Sequence, residues 1–252
     1  RKTMLAYHND PQIKADILAQ LERHRAADEL VKGQYWKDGK GCAVACTIHS
    51  GDHAEYEVRF GIPQMLARLE DCIFEGLPDD LSQEWPIRFM SAIEPGQDLS
   101  LVGWRFLHRL LTDPMLNPGI TDNNVVDVVR TCANVTEPLT RGEDIDQGAA
   151  ESAERAAENA AAIAGARARS VENIAGIAAA STAANVARSV ASAASAAIAA
   201  DAAATAAARA AEGAGRAAKA KANAAARAAY KAGQRAAYVR QADLLIELIK
   251  TT

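Results

Sequence analysis

Residues 39–53 read GKGCAVACTIHSGDH, and the backbone they adopt decides whether the chain contains any sheet. As a strand, Cys42, Val44, Cys46 and Ile48 alternate onto one face, and residues 50–53 turn the chain back into AEYEVRF (54–60) as a hairpin. As a helix, Cys42, Cys46, His49 and His53 follow one another at steps of four, three and four and share one side of the cylinder. Alanines at 43 and 45 favour the helix, and Gly51 limits its length. The helix is the expectation, and with it an all-α chain.

The flanking sequence agrees. Asp10 is placed to cap a helix with Pro11 at its first position, and Ile13, Ile17, Leu18 and Leu21 recur at helical steps. A second helix begins at Pro63, carries Leu66, Leu69 and Ile73 on one stripe, and stops at Gly76 before Pro78. A third runs from Ser82 through Trp85 and tolerates Pro86 because that proline is close to its start. A fourth follows Asp98 with Leu99, Val102, Phe106 and Leu110, and a fifth follows Asp122 with Val125, Val129 and Cys132. Trp36, Trp85, Trp104 and Phe106 are expected in the core.

The second half is of another kind. All eight prolines, all four cysteines and all three tryptophans precede residue 140, whereas residues 149–237 hold 46 alanines in 89 positions. Alanine has the highest helix propensity, so long helices are expected, broken near Ala180–Asn185 and at Glu212–Arg216, where two glycines permit a turn. The expectation is a small irregular helical domain, 1–140, followed by an alanine-rich array of packed helices, 141–252. At its end, Leu244, Leu245, Leu248 and Ile249 form a greasy anchor.

Residues 1–140 carry 14 basic and 21 acidic side chains, net −7, and 141–252 carry 14 and 11, net +3. Between Thr205 and Arg240 eight basic residues face one acid. Arg216, Lys219, Lys221, Arg227, Lys231 and Arg235 are therefore candidates for binding nucleic acid or an acidic partner. The plainer reading is the solvated face of an alanine-rich helix, since no aromatics interleave with the cations as base stacking requires. No apolar core follows RKTMLAYHND, so no secretory signal is expected. The longest charge-free run, Asn173–Ala187, has 15 residues against the roughly 20 apolar ones a bilayer needs. Four unevenly spaced cysteines do not make a disulfide framework, and a cytoplasmic location is the expectation.

Cys42, Cys46, His49 and His53 are zinc-type donors, with Glu55 or His24 as additional candidates. Along one helical face, however, they span about 16 Å, too far for one tetrahedral ion. Two packed cysteines and two turn histidines, with no cofactor, is the favoured expectation. Cys42 at a helix start beside Lys40 also has the setting of an activated thiol, with His49 or His53 as its base. The DGKG before it is a weak phosphate-loop signal, lacking the full spacing.

YWKDGKGCAVACTIHS, FGIPQMLARLEDCIFEGLP and the closing QADLLIEL together resemble a group of uncharacterised bacterial and phage proteins, over most of the chain. That resemblance implies no catalytic residue. More loosely, the alanine-rich half is similar in composition to helical immunity-like domains of bacterial toxin systems. It departs from the alanine-rich antifreeze helices, which repeat threonine every eleven residues, because 149–237 holds only Thr182 and Thr205. The functional expectation is a non-enzymatic structural or interaction protein, phage-associated, whose alanine-rich helices dock a protein partner or a second copy. The alternatives are an enzyme or metal module centred on 42–53 and a nucleic-acid binder using 205–240.

Overall fold

The structure, a computed structural model, describes residues 4–113, 123–144, 232 and 235–252. The chain divides into two compact units, one formed by Arg1–Phe106 together with Tyr238–Thr252, the other by Leu107–Ala237. Among the described residues the fold is all-α, with isolated bridges and no strand. The helices are α1 (Pro11–Ala26), α2 (Ala43–Ile48), α3 (Glu55–Phe60), α4 (Gln64–Gly76), α5 (Asp79–Ser82), α6 (Trp85–Ala92), α7 (Val102–Thr112), α8 (Asn123–Thr136) and α9 (235–250). Most of the alanine-rich half, with the array and its breaks, lies outside the described residues.

α1 starts as its sequence dictates: Asp10 Oδ1 accepts from the Gln12 amide at 2.8 Å, and Pro11 needs no partner for a missing N–H. It buries Ile17 and Leu21, leaving Ile13 and Leu18 half-buried. α4 buries Leu66, Leu69 and Ile73, the expected stripe. The helix expected from Ser82 is instead two, because Ser82 closes α5 and α6 begins at Trp85. Trp85 and Phe106 are core residues, whereas Trp36 and Trp104 are half-buried.

α9 belongs to the first unit from Tyr238 onward. Ala242, Leu244, Leu245, Ile246 and Ile249 are buried, and Leu248 is half-buried. Each large side chain removed from water contributes about 1.5–3 kcal/mol. Polar links fix the register: Arg88 pairs with Asp243 at 2.6 Å, and Gln97 Nε2 donates to the Ile249 carbonyl at 2.6 Å, satisfying one acceptor of the last turn. Gly76 ends α4 without a left-handed backbone; its missing side chain makes room for the Tyr238 ring, which any Cβ there would overlap.

At the other end of the sequence, residues 4–9 form a strap. Ala6 donates to the Gln97 carbonyl at 2.9 Å and accepts from the Gly96 amide at 2.8 Å. Tyr7, His8 and Asn9 then take left-handed φ values of 52, 51 and 61°, each costing about 1–2 kcal/mol for an L-residue. The fully buried Tyr7 ring, whose hydroxyl donates to the Met90 carbonyl at 2.7 Å, offsets that cost.

Candidate functional site

α2 is helical, as expected, but only six residues long. Cys42 stands at its N-cap, and His49 ends it in the left-handed conformation, φ 53° and ψ 37°. The chain then bends through Ser50 and Gly51, so the expected shared face of the four candidate residues is cut after Cys46. Cys42, Cys46, His49 and His53 do not converge, and among the described residues no group of three or more His, Cys, Asp or Glu side chains is arranged to hold a metal ion.

The cysteines face inward. Cys46 is fully buried, and its thiol donates to the carbonyls of Gly41 at 3.4 Å and Glu29 at 3.5 Å. Burial pushes it up to about 12 despite the Gly41 contact, and the Glu29 charge adds to the rise. The Cys42 thiol is raised further, first by burial and then by the carboxylate of Asp71. An activated thiolate needs the opposite environment, so the helix start and Lys40 do not make Cys42 a nucleophile.

Behind α2 lies a buried polar network. The Thr47 hydroxyl donates to the Ala43 carbonyl at 2.8 Å. Tyr56, on α3, donates to Glu70 Oε2 on α4 at 2.7 Å, and Trp85 Nε1 donates to the Glu70 carbonyl at 2.9 Å. Glu70 is fully buried and its Oε1 has no hydrogen-bond partner. Burial, reinforced by Asp71, raises its pKa well above that of an ordinary carboxylate, although the Tyr56 bond pulls the other way. Burial thus disfavours the ionised form of Glu70. His53 lies 3.5 Å from Asp71 Oδ2, edge-on to the exposed Tyr35 ring.

His49 belongs to a different cluster. Its Nε2 is 2.9 Å from Nε2 of His24, near the C-terminal end of α1, and His24 Nδ1 is 2.6 Å from Glu29 Oε2. The Trp36 indole stacks on the His49 ring with centroids 4.3 Å apart and 25° between planes, and meets His24 edge-on at 5.7 Å. If His24 donates through Nδ1 to Glu29, its Nε2 accepts the His49 Nε2–H, and His49 Nδ1 is left with a lone pair. Burial, then His24 and then Arg59 hold His49 below the ordinary imidazole value, outweighing Glu29. Carboxylate, imidazole and imidazole thus form a hydrogen-bonded chain that ends on an exposed residue.

The sequence marked His49 and named His24, but it did not show their pairing, nor the parts of Glu29, Trp36, Glu70 and Asp71. These residues come together through tertiary packing, and no short-range spacing records it. Of the basic candidates, Arg216, Lys219, Lys221, Arg227 and Lys231 lie outside the described residues, and Arg235 is exposed at the start of α9. No protein-family model, curated protein or solved structure matches the chain.

Proposed function

We propose that the chain is a non-enzymatic interaction protein in which a folded base carries an alanine-rich segment as the docking surface for another protein, a second copy of the chain included. The observation that supports this reading is the discontinuity of the first unit. Residues 107–237 leave it and the chain then returns to it through α9. A segment tied at both ends to one folded base suits presentation to a partner, and 46 alanines in 89 positions leave few side chains able to do chemistry. Replacing residues 145–231 by a short Gly/Ser linker tests this by sedimentation equilibrium. The full chain is expected to self-associate with rising concentration, and the linker chain to stay monomeric with its base folded. Equal association of both chains overturns self-docking through this segment.

A second reading rests on the relay of Glu29, His24 and His49. An oriented imidazole whose Nδ1 keeps its lone pair is the form a general base takes. Acylation of His49 by diethyl pyrocarbonate, followed by peptide mass mapping, is expected to be fast in the intact protein and several-fold slower in Glu29→Gln. Unchanged acylation in that variant removes the relay from consideration as a base.

A further inference from the structure

The His24–His49 contact constrains how many protons the two rings can hold. Their centroids lie 5.1 Å apart, longer than the 2.9 Å between the nitrogens by about two ring radii, so the nitrogens meet head-on. A hydrogen bond at that distance needs one N–H and one lone pair. The neutral pair supplies both. So does the pair with one added proton, in which one doubly protonated ring donates to the Nε2 lone pair of the other. With two added protons, two N–H groups point at each other across 2.9 Å, and the contact cannot persist.

We infer that His24 and His49 form an acid-released latch on the loop of residues 27–42. In the closed state Trp36 is stacked on His49, the Lys37–Lys40 turn follows it, and Val31 donates to the Gly41 carbonyl at 2.8 Å. Uptake of the second proton drives the rings apart and removes the surface on which Trp36 lies. The charged groups facing His49 come from three elements: His24 from α1, Glu29 from the loop, and Arg59 from α3. Arg59 pairs with Glu55 and donates to the Ile48 carbonyl at 2.9 Å, which holds its positive charge near the end of α2. Glu29 favours the first added proton; Arg59 and the charge already on the pair oppose the second. The latch opens when the second proton is taken up. The latch requires neither functional reading to hold.

The test is an NMR titration of the full chain, labelled uniformly with ¹⁵N, from pH 8 to 4.5. The Trp36 indole signal is expected to hold through the first imidazole step and to move with the second. Exchange of the Val31 and Lys40 amides, corrected for intrinsic rate, is expected to rise by about tenfold or more over that second step. In His24→Gln the Trp36 transition is expected to vanish, because a glutamine oxygen still accepts from a charged His49. Circular dichroism at 222 nm in both proteins controls for general acid unfolding. A Trp36 signal that stays fixed while both rings titrate overturns the latch. So does an unaltered Trp36 transition in His24→Gln.

Discussion

Two polar systems lie on either side of the same short helix, and they are built to opposite rules. Behind α2 the hydroxyl of Tyr56 and the carboxyl of Glu70 are sealed in the core, with Asp71 against the Cys42 thiol. At its C-terminal end Glu29, His24, His49 and Trp36 form a chain that reaches the surface. In the first, losing a partner strands a group away from water. In the second, water replaces whatever is lost. The buried network is therefore expected to govern stability, and the surface relay to respond to solution conditions at little cost to the fold.

The largest expected effect breaks the inner system. Tyr56→Phe leaves Glu70 without its hydrogen-bond donor and should destabilise the first unit by about 1–3 kcal/mol in urea unfolding, whereas His49→Gln should cost well under 1 kcal/mol at pH 7.5. Equal costs would erase the contrast.

Next comes pH dependence of stability. The folded pKa of Glu70 is raised above its unfolded value of 4.5, so its favourable contribution is full below about 4.5 and is lost as pH rises toward the folded value. Glu70→Gln should flatten the fall in stability on the alkaline side. The folded pKa of His49 is lowered from 6.5, so its contribution is full above about 6.5 and is lost as pH falls from there through the folded value. His49→Gln should flatten the acid side alone, by less than about 1 kcal/mol. Thermal melts of the two variants from pH 4.5 to 8.5 check both signs.

The thiols sharpen the contrast from the buried side. Cys46→Ala should cost about 1 kcal/mol of packing. With thiols shifted upward, Cys42, Cys46 and Cys132 should react slowly with a disulfide reagent at pH 8 until the protein unfolds, while the exposed Cys72 reacts first. Early labelling of Cys46 in the native protein would show that α2 opens locally.

What could be read from the sequence follows from how far apart the interacting residues lie. The start of α1 was legible because Asp10 and Gln12 are neighbours, and so was the stripe of α4. Gly76 was legible as a stop, but its reason was not, since Tyr238 lies far along the chain. The length of α2 was hidden because nothing local requires His49 to be left-handed, and this cut the shared helical face that regular spacing had implied. Three left-handed residues at Tyr7–Asn9 gave no warning either: asparagine and histidine tolerate that conformation, and tyrosine does so only because its buried ring compensates. The relay spans 25 residues between its two histidines, and only tertiary packing brings them together.

The return of α9 to the first unit also fixes an order of events during synthesis. A ribosome delivers Gly76, Arg88 and Gln97 long before Tyr238, Asp243 and Ile249, yet each of the former is completed by one of the latter. While residues 107–237 are being made, the nascent chain carries an apolar face with no cover, the kind of surface that holding chaperones bind. Closure of the base thus marks that translation has passed the alanine-rich segment, and a product stopped within that segment is left with its core open to degradation.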